Sequence, residues 1–300
     1  MPANRRDRDK EELQLLSRLT GRDVQVLLDV HELEVLTTNQ LARAHFPTAR
    51  IAQRRLERLS EDFEILHRFR PSRSARAGGG SAPHPALATE PGSSPFHYVL
   101  SDRGARIVGA LLRSKVEYSP ASALRLADPR RHASLRHPLA VGDFWAALAG
   151  VVREPGSRLS WMGERRVAER WVTRVGATFG PSVRPDGVGD LKRGRARVRF
   201  YLELDRGTET LATLGRKVAG YLFPPDDVDV VLFCFETPGR EPRAREVLHH
   251  HEVPVATTTC ERHSSDPLGA IWRLVGIEEP VTLLELAGAW ERRREREASA

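Results

Sequence analysis

Cysteine is nearly missing from this chain. Cys234 and Cys260 are the only two among 300 residues. Two thiols cannot build a disulfide framework or a four-cysteine zinc site. Both lie in apolar, strand-like runs, so they read as reduced core thiols of a cytoplasmic protein. No run of about 18 apolar residues occurs, which argues against a transmembrane helix and against a membrane partner. The start, MPANRRDRDKEELQLL, is charged and lacks an apolar stretch before a cleavage site, so no secretory signal is expected. Lysine is scarce as well. Lys10, Lys115, Lys192 and Lys217 are the four lysines among 47 basic residues. No Walker phosphate loop, dinucleotide fingerprint, HExxH or GxSxG motif is present. No repeat recurs at a period of about 20–50 residues.

The chain does have enough apolar residues for a sizeable core, at 40% hydrophobic and 29% charged. Its length predicts about two domains. The net charge is +7 and the pI is about 10.0. Residues 1–115 carry 19 basic and 14 acidic side chains, so most of the excess sits in the first third. A basic balance of this kind suggests a polyanionic partner.

The pattern divides the chain into a charged arm (1–21), a first domain (22–115), a linker (116–136), a second domain (137–290) and a charged tail (291–300). Residues 71–95 hold four glycines, five prolines and five serines. Such a composition is expected to be disordered.

In the first domain, Val24, Leu27, Leu28 and His31 recur with helical spacing. Thr38 is the expected cap of a second helix over 39–45, and Thr48 that of a third to about residue 60. Segments 63–69 and 96–100 read as paired strands, and Ser101 caps a fourth helix. This order predicts a winged helix-turn-helix, with 71–95 as the wing tip. Its third helix would enter the major groove of double-stranded DNA. The candidate DNA contacts are Thr48, Arg50, Gln53, Arg54 and Arg58, with Arg73 and Arg76 on the wing. Arginine and glutamine can bond both phosphates and base edges. A merely solvated basic face is the competing reading.

The second domain predicts an α/β pattern: a helix opened by Pro138, a strand over 159–162, an extended 182–187 ending in a turn, and a strand over 197–205. A helix capped by Thr208 runs to about residue 223. A buried strand over 228–235, a helix over 242–250 and a last strand over 252–258 follow. This order resembles the PD-(D/E)xK nuclease superfamily, a restriction-endonuclease-like mixed sheet flanked by helices. The resemblance places Asp186 and Glu203 as ligands of Mg²⁺ or Mn²⁺, a metal able to generate hydroxide and stabilise charge on a phosphodiester. The superfamily's lysine would fall at Asp205. Lys217, on a helical stripe with Thr210 and Tyr221, is the candidate substitute. The expected catalytic set is therefore Asp186, Glu203, Asp205 and Lys217. Glu164 is a further candidate acid, more simply read as a strand-end charge. His137 and Asp143 receive no assigned chemistry. A metal site at His249–His251 is disfavoured because adjacent residues point apart.

Five segments together resemble the replication-relaxation family: YVLSDRG at 98–104, HPLAVGDF at 137–144, ERR at 164–166, RPDG at 184–187, and above all FYLELDRGTE at 200–209 with Lys217 and Tyr221. The resemblance covers about 22–260. It implies a DNA-binding role in plasmid or mobile-element replication and DNA relaxation, with plasmid replication proteins as partners. Two readings stay open. One is a metal-dependent DNA endonuclease or nickase. The other is a non-catalytic replication or transcription factor whose nuclease-like domain serves DNA grip or homodimerisation.

Overall fold

A computed structural model describes residues 14–71, 94–112, 125, 126, 128, 134–175, 183–221, 228–248 and 253–299. Chain contacts divide it into two units, 1–142 and 143–300.

The first unit begins with α1 (Gly21–Leu33), β1 (Leu36–Thr37), α2 (Thr38–His45) and α3 (Ala49–Glu61). It continues with β2 (Leu66–Phe69), β3 (His97–Leu100) and α4 (Asp102–Leu112). The three strands form an antiparallel sheet in the order β1-β3-β2. The two-residue β1 is too short to show a period of two, so no sequence pattern announces it. The α2 cap is Thr37, one residue earlier than expected. Thr37 and Gln40 satisfy each other's backbone N–H groups in a capping box. Thr48 caps α3 as expected, accepting from the Ile51 N–H. Leu27, Leu41, Leu56, Leu59, Val99 and Ile107 form much of the buried core. Gly104 lets α4 lie against the backbone, since a Cβ there would meet the Ile65 carbonyl oxygen at 2.1 Å.

A helix, α5 (Arg136–Val151), spans the division between units. It starts two residues before Pro138. Its first turns belong with the first unit, where the Gln40 amide donates to the Leu139 carbonyl at 2.8 Å. From Phe144 onward it packs in the second unit. The dividing line therefore falls inside this helix and beyond the expected linker.

The second unit is built on a six-stranded mixed sheet in the order β4-β5-β6-β7-β8-β9. These strands are β4 (Ser157–Gly163), β5 (Gly187–Arg193), β6 (Ala196–Asp205), β7 (Val230–Phe235), β8 (Val255–Thr259) and β9 (Arg273–Leu274). The pairs β4–β5, β5–β6 and β8–β9 are antiparallel, while β6–β7 and β7–β8 are parallel. All six residues of β7 are buried, as a strand covered on both faces requires.

Helices α6 (Glu164–Val175), α7 (Leu211–Ala219) and α8 (Glu241–Leu248) contribute Val167, Leu214 and Ala244 to one core with Tyr201 and Phe233. On the other face Phe144 meets Phe200, Trp161 and a stacked His263. Strand period decides this division. Tyr201, Glu203 and Asp205 alternate with Phe200, Leu202 and Leu204. Gly187 and Gly189 make room for aromatic rings, because a Cβ at either would meet Trp161 or Phe200 at 2.2 Å.

Several expectations differ from the observed fold. Gly187 opens a strand and is not part of a turn; the turn comes at Gly194, whose φ is +60°. The cap of α7 is Thr210, which accepts from the Thr213 N–H, and not Thr208. Strand β8 is followed by α9 (Cys260–Ser265), β9 and α10 (Leu286–Ala298). The expected charged tail is thus largely helix. Leu283, Leu286 and Ala289 bury its base, and its Arg and Glu residues are good helix formers. The segment expected to be a wing tip, with Arg73 and Arg76, and the histidine run lie outside the described residues. Among the described residues, no helix is long and apolar enough to cross a membrane.

Candidate functional site

Three antiparallel strands set up a row of carboxylates in the second unit. Gly163 pairs with Gly187, and Gly187 pairs with Leu202. Carried one residue further, the same register aligns Glu164, Asp186 and Glu203. Glu164 begins α6, Asp186 immediately precedes β5, and Glu203 lies within β6. Carboxylate oxygens of Glu164 and Asp186 come within 4.8 Å of one another.

Asp186 is fixed by the strand beside it. Its N–H donates to the Leu202 carbonyl at 2.9 Å. Its Oδ2 accepts from the Leu204 N–H at 2.6 Å. These two bonds straddle Glu203 and hold Asp186 level with it.

Glu203 is 2% exposed. A bare carboxylate there would be costly, and two side chains meet it. The Lys217 ammonium donates to Oε2 at 2.6 Å, and the Tyr221 hydroxyl donates to Oε1. Both donors come from α7 and the turn that follows it. Burial still pushes the Glu203 carboxyl up to about 7, with the Asp186 charge adding to the rise and Lys217 and Tyr221 opposing it. Burial works to lower the Lys217 pKa, but the Glu203 carboxylate outweighs it and the net direction is upward. Burial and the Glu203 charge also raise the Tyr221 phenol, which stays protonated at neutral pH. Lys217 is 27% exposed in its side chain and also lies 3.8 Å from Glu209.

Asp205 shares the strand face of Glu203 but has a different environment. Its carboxylate receives Nε of Arg240 at 2.8 Å and Nη2 at 3.1 Å. It also accepts from the Gly207 N–H at 2.6 Å. Arg240 further donates to the Glu209 carbonyl. Asp205 therefore closes the turn after β6.

Of the four expected catalytic residues, the structure brings Asp186, Glu203 and Lys217 together and ties Asp205 to Arg240. Tyr221 and Glu164 join the group. Tyr221 is legible in sequence as the residue four beyond Lys217 on one stripe. Arg240 carries no sequence signal, being 35 residues from its partner. His137 falls in the first unit and Asp143 opens the second.

In the first unit, the outer face of α3 presents Arg50, Gln53, Arg54 and Arg58, all exposed. Arg50 and Arg54 make no ion pair among the described residues. Arg58 holds Asp62 at 3.3 Å on the surface. Arg55, on the same helix, turns inward and pairs with the buried Asp23 at 2.8 Å. Thr48 is exposed, with its hydroxyl oxygen engaged as the helix cap. A cleft of about 470 Å³ lies beside this helix, lined by Gln53 and Glu57 of α3 and by Arg68, Arg70 and Phe96 near the hairpin.

The family model described as Replication-relaxation matches residues 27–222. That span contains α3, the carboxylate row, Lys217 and Tyr221. Comparisons with curated proteins and with solved structures return no match.

Proposed function

Since this chain belongs to the replication-relaxation family, we propose that it is a DNA-binding protein of plasmid or mobile-element replication and relaxation, and that its second unit is a metal-dependent DNA endonuclease or nickase. The observation that carries this reading is the convergence of Asp186 and Lys217 on the buried Glu203, with Glu164 in the same row. It suits a restriction-endonuclease-like fold.

The donor set fits a hard divalent cation. Glu164 and Asp186 offer carboxylate oxygens within 4.8 Å of one another, the ligands that Mg²⁺ and Mn²⁺ prefer, and Glu203, whose two oxygens already accept from Lys217 and Tyr221, lies next in the row. The upward shift at Glu203 marks a position short of positive charge, which such a cation would supply. When bound, the metal provides Lewis acidity and a bound water acidified enough to act as nucleophile near neutral pH. The chain's own residues do the remaining work. The Leu204 N–H orients Asp186. Lys217 keeps its proton, so it acts as a cationic clamp on Glu203 and as a donor toward a phosphodiester oxygen, and not as a base. Tyr221 positions Glu203 through Oε1.

The first unit supports recognition of duplex DNA. Its order of elements and β1-β3-β2 sheet suit a winged helix-turn-helix with α3 in the major groove. The outward-facing Arg50 and Arg54 suit phosphate or base contacts. The cleft between α3 and the hairpin borders the same surface.

One observation favours the non-catalytic reading. Asp205 stands where the nuclease superfamily has lysine, and Arg240 locks it into a turn. A supercoiled-plasmid assay with Mg²⁺ or Mn²⁺ separates the two. The enzyme reading expects open-circular or linear product, abolished in Asp186→Asn and Glu203→Gln with DNA affinity retained. A wild type that binds DNA tightly but neither cuts it nor gains thermal stability from either metal would establish the binding-protein reading instead.

A further inference from the structure

The chain's two cysteines meet in the fold. Cys234 lies on β7 level with Thr258 of β8. Cys260 follows directly after β8, at the first position of α9, beside the end of β7. Their sulfurs are 3.2 Å apart, across 26 residues of sequence. Both are free thiols. A disulfide holds its sulfurs at about 2.05 Å, so roughly 1 Å of approach would join them. Cys234 is 1% exposed, whereas Cys260 is only partly covered. Accessibility is therefore unequal within the pair. One thiol can meet a small reagent and the other waits behind it.

We propose that Cys234 and Cys260 form a peroxide-reactive dithiol site, in which oxidation closes a single intramolecular disulfide between β7 and the start of α9. Cys260 is the attacking residue. Its sulfur displaces hydroxide from hydrogen peroxide, the O–O bond breaks, and Cys260 becomes a sulfenic acid. The Cys260 proton ends on that hydroxide as one water. Cys234 then attacks the Cys260 sulfur and the S–O bond breaks. The departing hydroxide takes the Cys234 proton and leaves as a second water. Two thiols and one peroxide thus become one disulfide and two waters. Burial raises the Cys234 thiol well above its ordinary range and shields it from solvent, so the first attack falls to the more accessible Cys260. The site is independent of the carboxylate row and needs no metal.

The test uses the full chain, reduced and then treated with a small excess of hydrogen peroxide. The sample is denatured and alkylated, then weighed and mapped by peptide mass spectrometry. The expected result is loss of both alkylatable thiols, a peptide joining Cys234 to Cys260, and a monomer on a non-reducing gel. The melting temperature should rise by about 5 °C or more and fall back with reductant. In Cys234→Ala, Cys260 lacks its partner and should proceed to sulfinic acid, which the wild type resists. In Cys260→Ser, the buried Cys234 should stay unmodified. Wild-type thiols that remain alkylatable, disulfide-linked dimers, or Cys260 overoxidised as fast in the wild type as in Cys234→Ala would each overturn the proposal. The wild-type peptide map decides the matter even if a variant fails to fold.

Discussion

Replacing Glu203 by Gln should remove a loss of stability that the wild type suffers as pH rises toward neutrality. The Glu203 carboxyl rises from the ordinary glutamate value of 4.5 to about 7 in the folded chain. A group with a raised folded pKa contributes stability that is fully present below pH 4.5 and is lost as pH climbs through 7. Each decade of proton affinity is worth about 1.4 kcal/mol, so the wild type should lose about 3 kcal/mol across that window. Gln keeps the shape and one hydrogen-bond acceptor but does not titrate. Lys217 then loses its main anion, yet it is partly exposed and has Glu209 at 3.8 Å. Its own raised pKa acts only above 10.5, outside the window. Asp23 and Asp190 shift downward, but both proteins contain them and their effects cancel in the difference. The assay is urea unfolding with EDTA present, from pH 5 to 8. The gap between variant and wild-type midpoints should move by about 1–2 M in favour of the variant as pH rises. A gap that, converted to free energy through the m-value, stays constant within about 0.3 kcal/mol, the scatter of independent sites, would refute the assignment of a strained buried carboxyl.

Arg50→Ala with Arg54→Ala should weaken duplex binding and lower the slope of log affinity against log salt by about one for each phosphate no longer neutralised; unchanged affinity and slope in a salt titration would remove α3 from the interface. Arg240→Ala should destabilise the second unit by about 3 kcal/mol, because it leaves the buried Asp205 without its cation. Asp205→Asn in that background should recover part of the loss, as read by denaturant midpoints. Gly104→Ala should destabilise the first unit by roughly 2 kcal/mol or more, since the new methyl meets a backbone carbonyl that cannot move aside cheaply; circular dichroism melts check this.

The amino-acid sequence determined what depends on neighbours along the chain. Helical spacing along α3 sets Ala52, Leu56 and Leu59 on the buried face and leaves Arg50 and Arg54 outward. Strand alternation placed Glu203 and Asp205 together on one side of β6. The unbroken apolar run marked β7 as central. Distant parts of the chain, by contrast, come together only through register and packing. The alignment of Glu164, Asp186 and Glu203 follows from two antiparallel pairings whose register no single segment encodes. Glu203 and Asp205 look equivalent in sequence, two residues apart on one face. Tertiary structure separates them, because Lys217 and Tyr221 reach the first and Arg240 the second. Arg55 looks like its neighbours on α3 until the fold places Asp23 beneath it. The two cysteines read separately as reduced core thiols, and only the pairing of β7 with β8 brings their sulfurs into contact. Local periodicity chooses the face on which a side chain lies, while long-range pairing chooses what it meets there.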